Sequence, residues 1–159
     1  MINKKDIVGE WSLQDFTIES NDKIRPWRTN AHGLLIYTLS GYMSVSINGD
    51  EAEKLAHSKT ANSILFYSGR YRIVENMIIH EVINASDANR IGKEMIRTAF
   101  QEKDKLILVG KGEFGTATLT WKKISYQLES IAESEKSTSQ ECIDLSVNKS
   151  DRPSSLKLF

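Results

Sequence analysis

The chain has 159 residues, 40% of them apolar and 26% charged, which is the balance of one soluble globular domain with enough length to bury a core. Its 21 basic residues equal its 21 acidic ones, so bulk electrostatic attraction to nucleic acid or an anionic membrane is not expected. No apolar run approaches the roughly 18–20 residues that cross a bilayer, and no membrane insertion is expected.

The first residues, Met1 to Asp6, carry charge but no apolar stretch follows them, so no export signal is expected. A single cysteine, Cys142, excludes an intramolecular disulfide and a Cys-rich metal site. Both features fit a reducing cytoplasm, the expected location.

In chain order, a short helical lead over Lys4 to Val8 runs into a first strand, Trp11 to Glu19. A long connection follows, containing Ile24-Arg25-Pro26-Trp27-Arg28. Leu34 to Leu39 and Tyr42 to Ile47 flank Ser40-Gly41, a hairpin signal. Asn48-Gly49-Asp50 closes the second of these strands, and residues 50 to 62, without β-branched enrichment, read as a loop or short helix. Ile64 to Val74, a turn at Glu75-Asn76 and Met77 to Ala85 form the next hairpin. Ser86 to Lys93 breaks the pattern, and Glu94 to Gln101 alternates again. Lys103-Asp104 turns the chain into Leu106 to Val109, the glycines Gly110, Gly112 and Gly115 read as a hairpin loop, and Thr116 to Ile124 is the last strand.

Beyond residue 124 the composition changes. Ser125 to Phe159 holds nine serines, four basic and six acidic residues, too little apolar surface to offset the entropy of ordering a backbone. Residues 1–124 are therefore expected to form the domain and residues 125–159 a polar tail, mobile or loosely docked.

About eight strands joined by short turns, with no helix long enough for βαβ crossovers, predict an all-β fold. Closure into an antiparallel up-and-down barrel removes exposed edges and leaves room for one small ligand. A two-sheet sandwich is the alternative.

Gly9-Glu10-Trp11 at the entry to the first strand resembles the G-x-W signature of lipocalins. His32 to Thr38, Gly41 to Val45, Tyr67-Ser68-Gly69-Arg70-Tyr71, His80, Arg97 beyond the Ile91-Gly92 turn, and Leu119-Thr120-Trp121 resemble the bacterial lipocalin-like domain family over roughly residues 5 to 124. The resemblance implies an eight-stranded calycin-type barrel with a tryptophan plugging its closed end, and no single reaction. It also implies a last-strand cation, Lys122 or Lys123, over the Trp11 indole.

His80 is the most suggestive single residue. Alternation puts it on one face with Ile78 and Val82, where an imidazole either contacts a ligand, acting as acid and base near neutral pH in an enzyme, or is a core histidine bonded to a carbonyl or a tyrosine. Arg97 shares a face with Met95 and Ala99. Its guanidinium suits a carboxylate, enolate or phenolate, unless it pairs with a nearby Glu. Tyr42, Tyr67 and Tyr71, with Tyr37, supply aromatic area with a polar tip, for a pocket or for core packing. Trp27 either lids the open mouth, caps the core or meets a partner.

His32 and His57 have no metal-ligand spacing with His80, so no metal is expected, and no other cofactor is indicated. There is no G-x-S-x-G elbow, and the G-x-G-x-x-G spelled by Gly110, Gly112 and Gly115 lacks the helix a dinucleotide site needs. The expected function is binding of a small, largely apolar molecule in the barrel, through His80, Arg97, Tyr42, Tyr67, Tyr71 and Trp27. The alternatives are an isomerase- or cyclase-type enzyme on the same scaffold, with a polyketide- or lipid-like substrate, and a protein-interaction module. The oligomeric state is not legible.

Overall fold

A computed structural model describes residues 1–50, 64–112 and 115–124. The expected crossing segment at 50–62, except its first residue, and the expected tail at 125–159 lie outside the described residues. A single helical turn, α1 (Lys4–Ile7), precedes nine strands: β1 (Gly9–Ser20), β2 (Lys23–Pro26), β3 (Thr29–Tyr37), β4 (Tyr42–Asp50), β5 (Leu65–Val74), β6 (Met77–Ala85), β7 (Glu94–Glu102), β8 (Lys105–Gly112) and β9 (Gly115–Lys123). From β3 onward each strand pairs antiparallel with the next, and β9 returns to β1. Eight of the strands thus close an antiparallel barrel, and β2 is an added ribbon on β1. Closure pairs both edges of these eight strands with neighbours among the described residues.

The long strand β1 makes this closure possible. One edge pairs with β9 from Trp11↔Lys123 to Glu19↔Thr116. The other meets β3 over Gly9 to Ser12 and β2 over Thr17 to Ser20. Its inward residues are Trp11 and Leu13, then Phe16 and Ile18. A bulge between Leu13 and Asp15 shifts the alternation by one, so that both halves bury their apolar side chains.

Two expectations along the chain need correction. The connection around Ile24–Arg28 contains the strand β2, reached by a tight turn in which Asn21 and Asp22 both have positive φ, 52° and 59°. Its four residues are all exposed, so no apolar alternation announces it, and Pro26 is tolerated because this is an edge. The glycines near 112 are not all loop. Gly110 and Gly112 belong to β8, and the ladder runs on to Gly112↔Gly115.

The helical turn closes one end of the barrel. Ile7 is fully buried there, and the Trp11 Nε1–H donates to the Ile7 carbonyl at 2.8 Å. Lys123, the nearer of the two candidate lysines, holds its ammonium 5.2 Å from the Trp11 ring centroid. The core continues through Tyr37, Leu35, Ile47, Ile78, Leu106 and Trp121, all under 2% exposed.

Candidate functional site

His80 lies midway along β6, opposite Tyr71 of β5 and Met95 of β7. Ile78 and Val82 flank it on the inward face, and the three are buried. It is the only buried polar or charged side chain among the described residues apart from the tyrosine and tryptophan tips. Tyr37 reaches it from across the barrel, with Oη 2.7 Å from Nε2. Tyr67 reaches it from the neighbouring strand, with Oη 2.9 Å from Nδ1. Both ring nitrogens are therefore engaged by tyrosines.

The electrostatics follow from burial. Desolvation, reinforced by the Arg97 charge, lowers the His80 pKa from 6.5 to about 3, so the imidazole is neutral at physiological pH. Burial also raises the Tyr37 pKa well above its ordinary value, and the nearby Tyr67 adds to this. Tyr37 keeps its proton. Of the two readings the sequence left open for His80, the geometry matches a core histidine bonded to tyrosines: a neutral hydrogen-bonding link held between two phenols.

Beside this chain lies a partly open cavity of about 60 Å3. Its wall is mainly apolar, built by side chains such as Phe16, Leu35, Val45, Ile47, Leu108 and Leu119. The polar groups on it are Tyr67, His80, Arg90, Arg97 and the Trp121 indole, with no carboxylate or amide side chain among them. Arg97 enters because β8 has a glycine opposite: a Cβ on Gly110 would stand 2.6 Å from an Arg97 guanidinium nitrogen and 2.9 Å from Cζ. Arg97 donates to the Ile96 carbonyl at 3.0 Å. Arg90, from the 3₁₀ turn Ala88–Arg90, pairs with Asp87 at 3.5 Å.

The six expected site residues are distributed in layers. His80, Arg97 and Tyr67 line the cavity. Tyr71 is one layer out, donating to the Thr38 carbonyl at 2.8 Å and meeting Tyr37 edge-on at 4.9 Å. Trp27 is also outside the lining and stacks on Phe16, which does line it, at 4.9 Å. Tyr42 stands on the outer surface, 46% exposed, under the Arg70 guanidinium. As the first residue after the hairpin turn, its parity directs it outward and Met43 inward.

Sequence reasoning left Trp121, Gly110 and Arg90 out of the site and gave Tyr37 no particular role. Tyr37 is visible only as one more β-strand tyrosine, because its partner is 43 residues away. Trp121 figures only in the Leu119-Thr120-Trp121 resemblance. Gly110 reads as turn punctuation, and Arg90 as part of a polar break. Alternation from His80 and Arg97 to the facing strands would have found Gly110, but only with the register known.

His32 is exposed and contacts the Asn30 carbonyl, and His57 lies outside the described residues. No group of three potential metal ligands occurs among the described residues.

A closed eight-stranded antiparallel barrel with a G-x-W plug and an internal cavity defines a calycin-type architecture. Residues 8–124 match the lipocalin-like domain family, and the chain belongs to it. Comparison with curated proteins finds no match. Among solved structures the chain is similar to the lipoprotein YedD from Klebsiella pneumoniae, at 11% identity, 83% coverage of both chains and a TM-score of 0.40. It is also similar to an uncharacterised protein from Bacteroides eggerthii, at 13% identity, 75% coverage of this chain and 100% of the other, TM-score 0.44. A third is a mutant of the fluorescent protein UnaG, at 10% identity, 77% coverage of this chain and 99% of the other, TM-score 0.38. Likeness at these levels says nothing about ligand or reaction.

Proposed function

We propose that this barrel binds one small, largely apolar molecule in its interior. The observation that carries the proposal is the cavity among inward-facing side chains, apolar over most of its wall with a few polar residues lining it. That combination is the general chemistry of a small-molecule site. A core evolved only for stability is close-packed, because each void forfeits dispersion contacts and costs stability. The volume of about 60 Å3 restricts the buried part of the ligand to a few heavy atoms unless side chains such as Leu65 and Met95, both only partly buried, move aside.

An acid–base enzyme on this scaffold is less well supported. His80 has no ring nitrogen left for a substrate, since Tyr37 and Tyr67 occupy both. A general base must reach the proton it takes.

The test is native mass spectrometry of protein purified from its own host, followed by denaturing release and analysis of anything bound. A stoichiometric small molecule supports the proposal, provided that filling the cavity by Ala117→Leu abolishes its retention. Retention undiminished by that substitution would refute an interior site.

A further inference from the structure

The hydrogen-bond pattern around the cavity leaves donors without partners among the described residues. Tyr37 is wholly buried, and its hydroxyl has one partner among the described residues, His80 Nε2. If Nε2 carried the proton, the Tyr37 O–H would be left with nothing to donate to, at a cost of roughly 1–3 kcal/mol. Tyr37 therefore donates to Nε2. A neutral imidazole then carries its proton on Nδ1 and donates it to Tyr67 Oη, 2.9 Å away. Tyr67 accepts, and its own O–H proton has no partner among the described residues.

Trp121 adds a second free donor. Its Nε1–H is buried and has no hydrogen-bond partner among the described residues, in a side chain only 1% exposed on the cavity wall. Buried donors are almost always satisfied, so an orphan calls for an acceptor that the described residues do not supply. Arg97 is the third. Its one hydrogen bond is to a neutral carbonyl on its own strand, and no carboxylate pairs with it among the described residues. Gly110 makes room for that guanidinium on the inward face of β8.

We infer that the buried end of the ligand is a carboxylate, held by Arg97, the Tyr67 hydroxyl and the Trp121 indole N–H. The inference rests on the binding function proposed above and names its ligand class. A carboxylate brings one negative charge for the guanidinium and about four acceptor positions on two oxygens, enough for all three donors. An amide or alcohol head brings no charge to match the guanidinium. The cavity size adds a second restriction. An apolar cavity of about 150 Å3 accepts benzene, so the present volume favours a compact monocarboxylic acid over a long-chain one.

The experiment titrates 15N-labelled full-length protein with butyrate, hexanoate and benzoate, and with the matching amides and alcohols. It follows the three indole N–H resonances, with Trp121 assigned by Trp121→Phe. The expected result is binding of at least one acid, roughly tenfold or more tighter than its amide and alcohol, with a downfield shift confined to the Trp121 indole. Arg97→Gln removes the preference for the acid, and Arg97→Lys restores part of it. Amides or alcohols that bind as tightly as the acids, with or without Arg97, overturn the carboxylate and leave the interior binding site standing. If no acid, amide or alcohol binds and the Trp121 resonance never moves, this inference and the binding function fall together. The ligand series is run on the unmodified protein, so the outcome does not hang on a variant that fails to fold.

Discussion

Acid should destabilise this protein through His80 by an amount that the structure sets. The folded state holds the imidazole at a pKa of about 3, against 6.5 for an unperturbed histidine. Between those values the unfolded chain binds a proton at this position and the folded chain does not, so stability falls as pH falls. The contribution is complete above pH 6.5 and declines by about 1.4 kcal/mol per pH unit below it. Relative to pH 8, the loss from this one residue is about 1.4 kcal/mol at pH 5.5 and about 2.7 kcal/mol at pH 4.5. Every other titrating group is shared with a His80→Gln variant, so its effect cancels when the two proteins are compared. Gln offers both a donor and an acceptor to Tyr37 and Tyr67 but does not titrate. Urea unfolding of both proteins from pH 8 to pH 4.5 is the assay. The variant is expected to be the weaker protein at pH 8, and the gap should shrink by about 2.7 kcal/mol at pH 4.5. A gap that stays constant with pH would show that His80 protonates equally in both states, and the closed Tyr37–His80–Tyr67 chain would be refuted.

Other perturbations separate the layers of the site. Tyr67→Phe leaves the His80 Nδ1–H without its 2.9 Å acceptor and should cost roughly 1–3 kcal/mol in urea unfolding, whereas Tyr42→Phe on the exposed surface should cost less than about 0.5 kcal/mol. Trp27→Ala removes the stack on Phe16 and should lower stability by about 1 kcal/mol or somewhat more, measured the same way, without adding a polar group to the cavity. Gly110→Ala places a methyl 2.6 Å from the Arg97 guanidinium and should displace that flexible side chain; titration calorimetry with the best-bound acid should show weaker binding while the melting temperature changes by only a few degrees. Lys123→Met removes the cation above Trp11 and should cost about 0.5–1 kcal/mol, a loss that would be absent if Lys122 were the partner.

Much of the architecture is local and so was legible in the chain itself. Apolar alternation in runs such as Met43-Ser44-Val45-Ser46-Ile47, and turn residues at Ser40-Gly41, Glu75-Asn76 and Lys103-Asp104, identify antiparallel hairpins because a strand exposes alternate side chains to opposite faces. The shared face of Ile78, His80 and Val82 follows from the same rule, and the burial of all three shows that face to be the inward one. Strand β2 escaped it because all four residues are exposed, and the bulge in β1 is a departure from the rule itself.

The chemistry of the interior was decided elsewhere. Sequence offered a histidine, an arginine and several tyrosines as candidates for the interior, but alternation cannot say which face points inward or which strand faces which across a barrel. Only closure brings Tyr37 of β3 to the far nitrogen of His80, which decides between a ligand-contacting acid–base group and a neutral core link in favour of the link. Only the register of β7 on β8 sets Gly110 against Arg97, and only packing strips the Trp121 indole of a partner. Strand identity is written in neighbouring residues. Hydrogen-bond direction, burial and unmet donors depend on groups distant in the chain, and so they exist only once the barrel is closed.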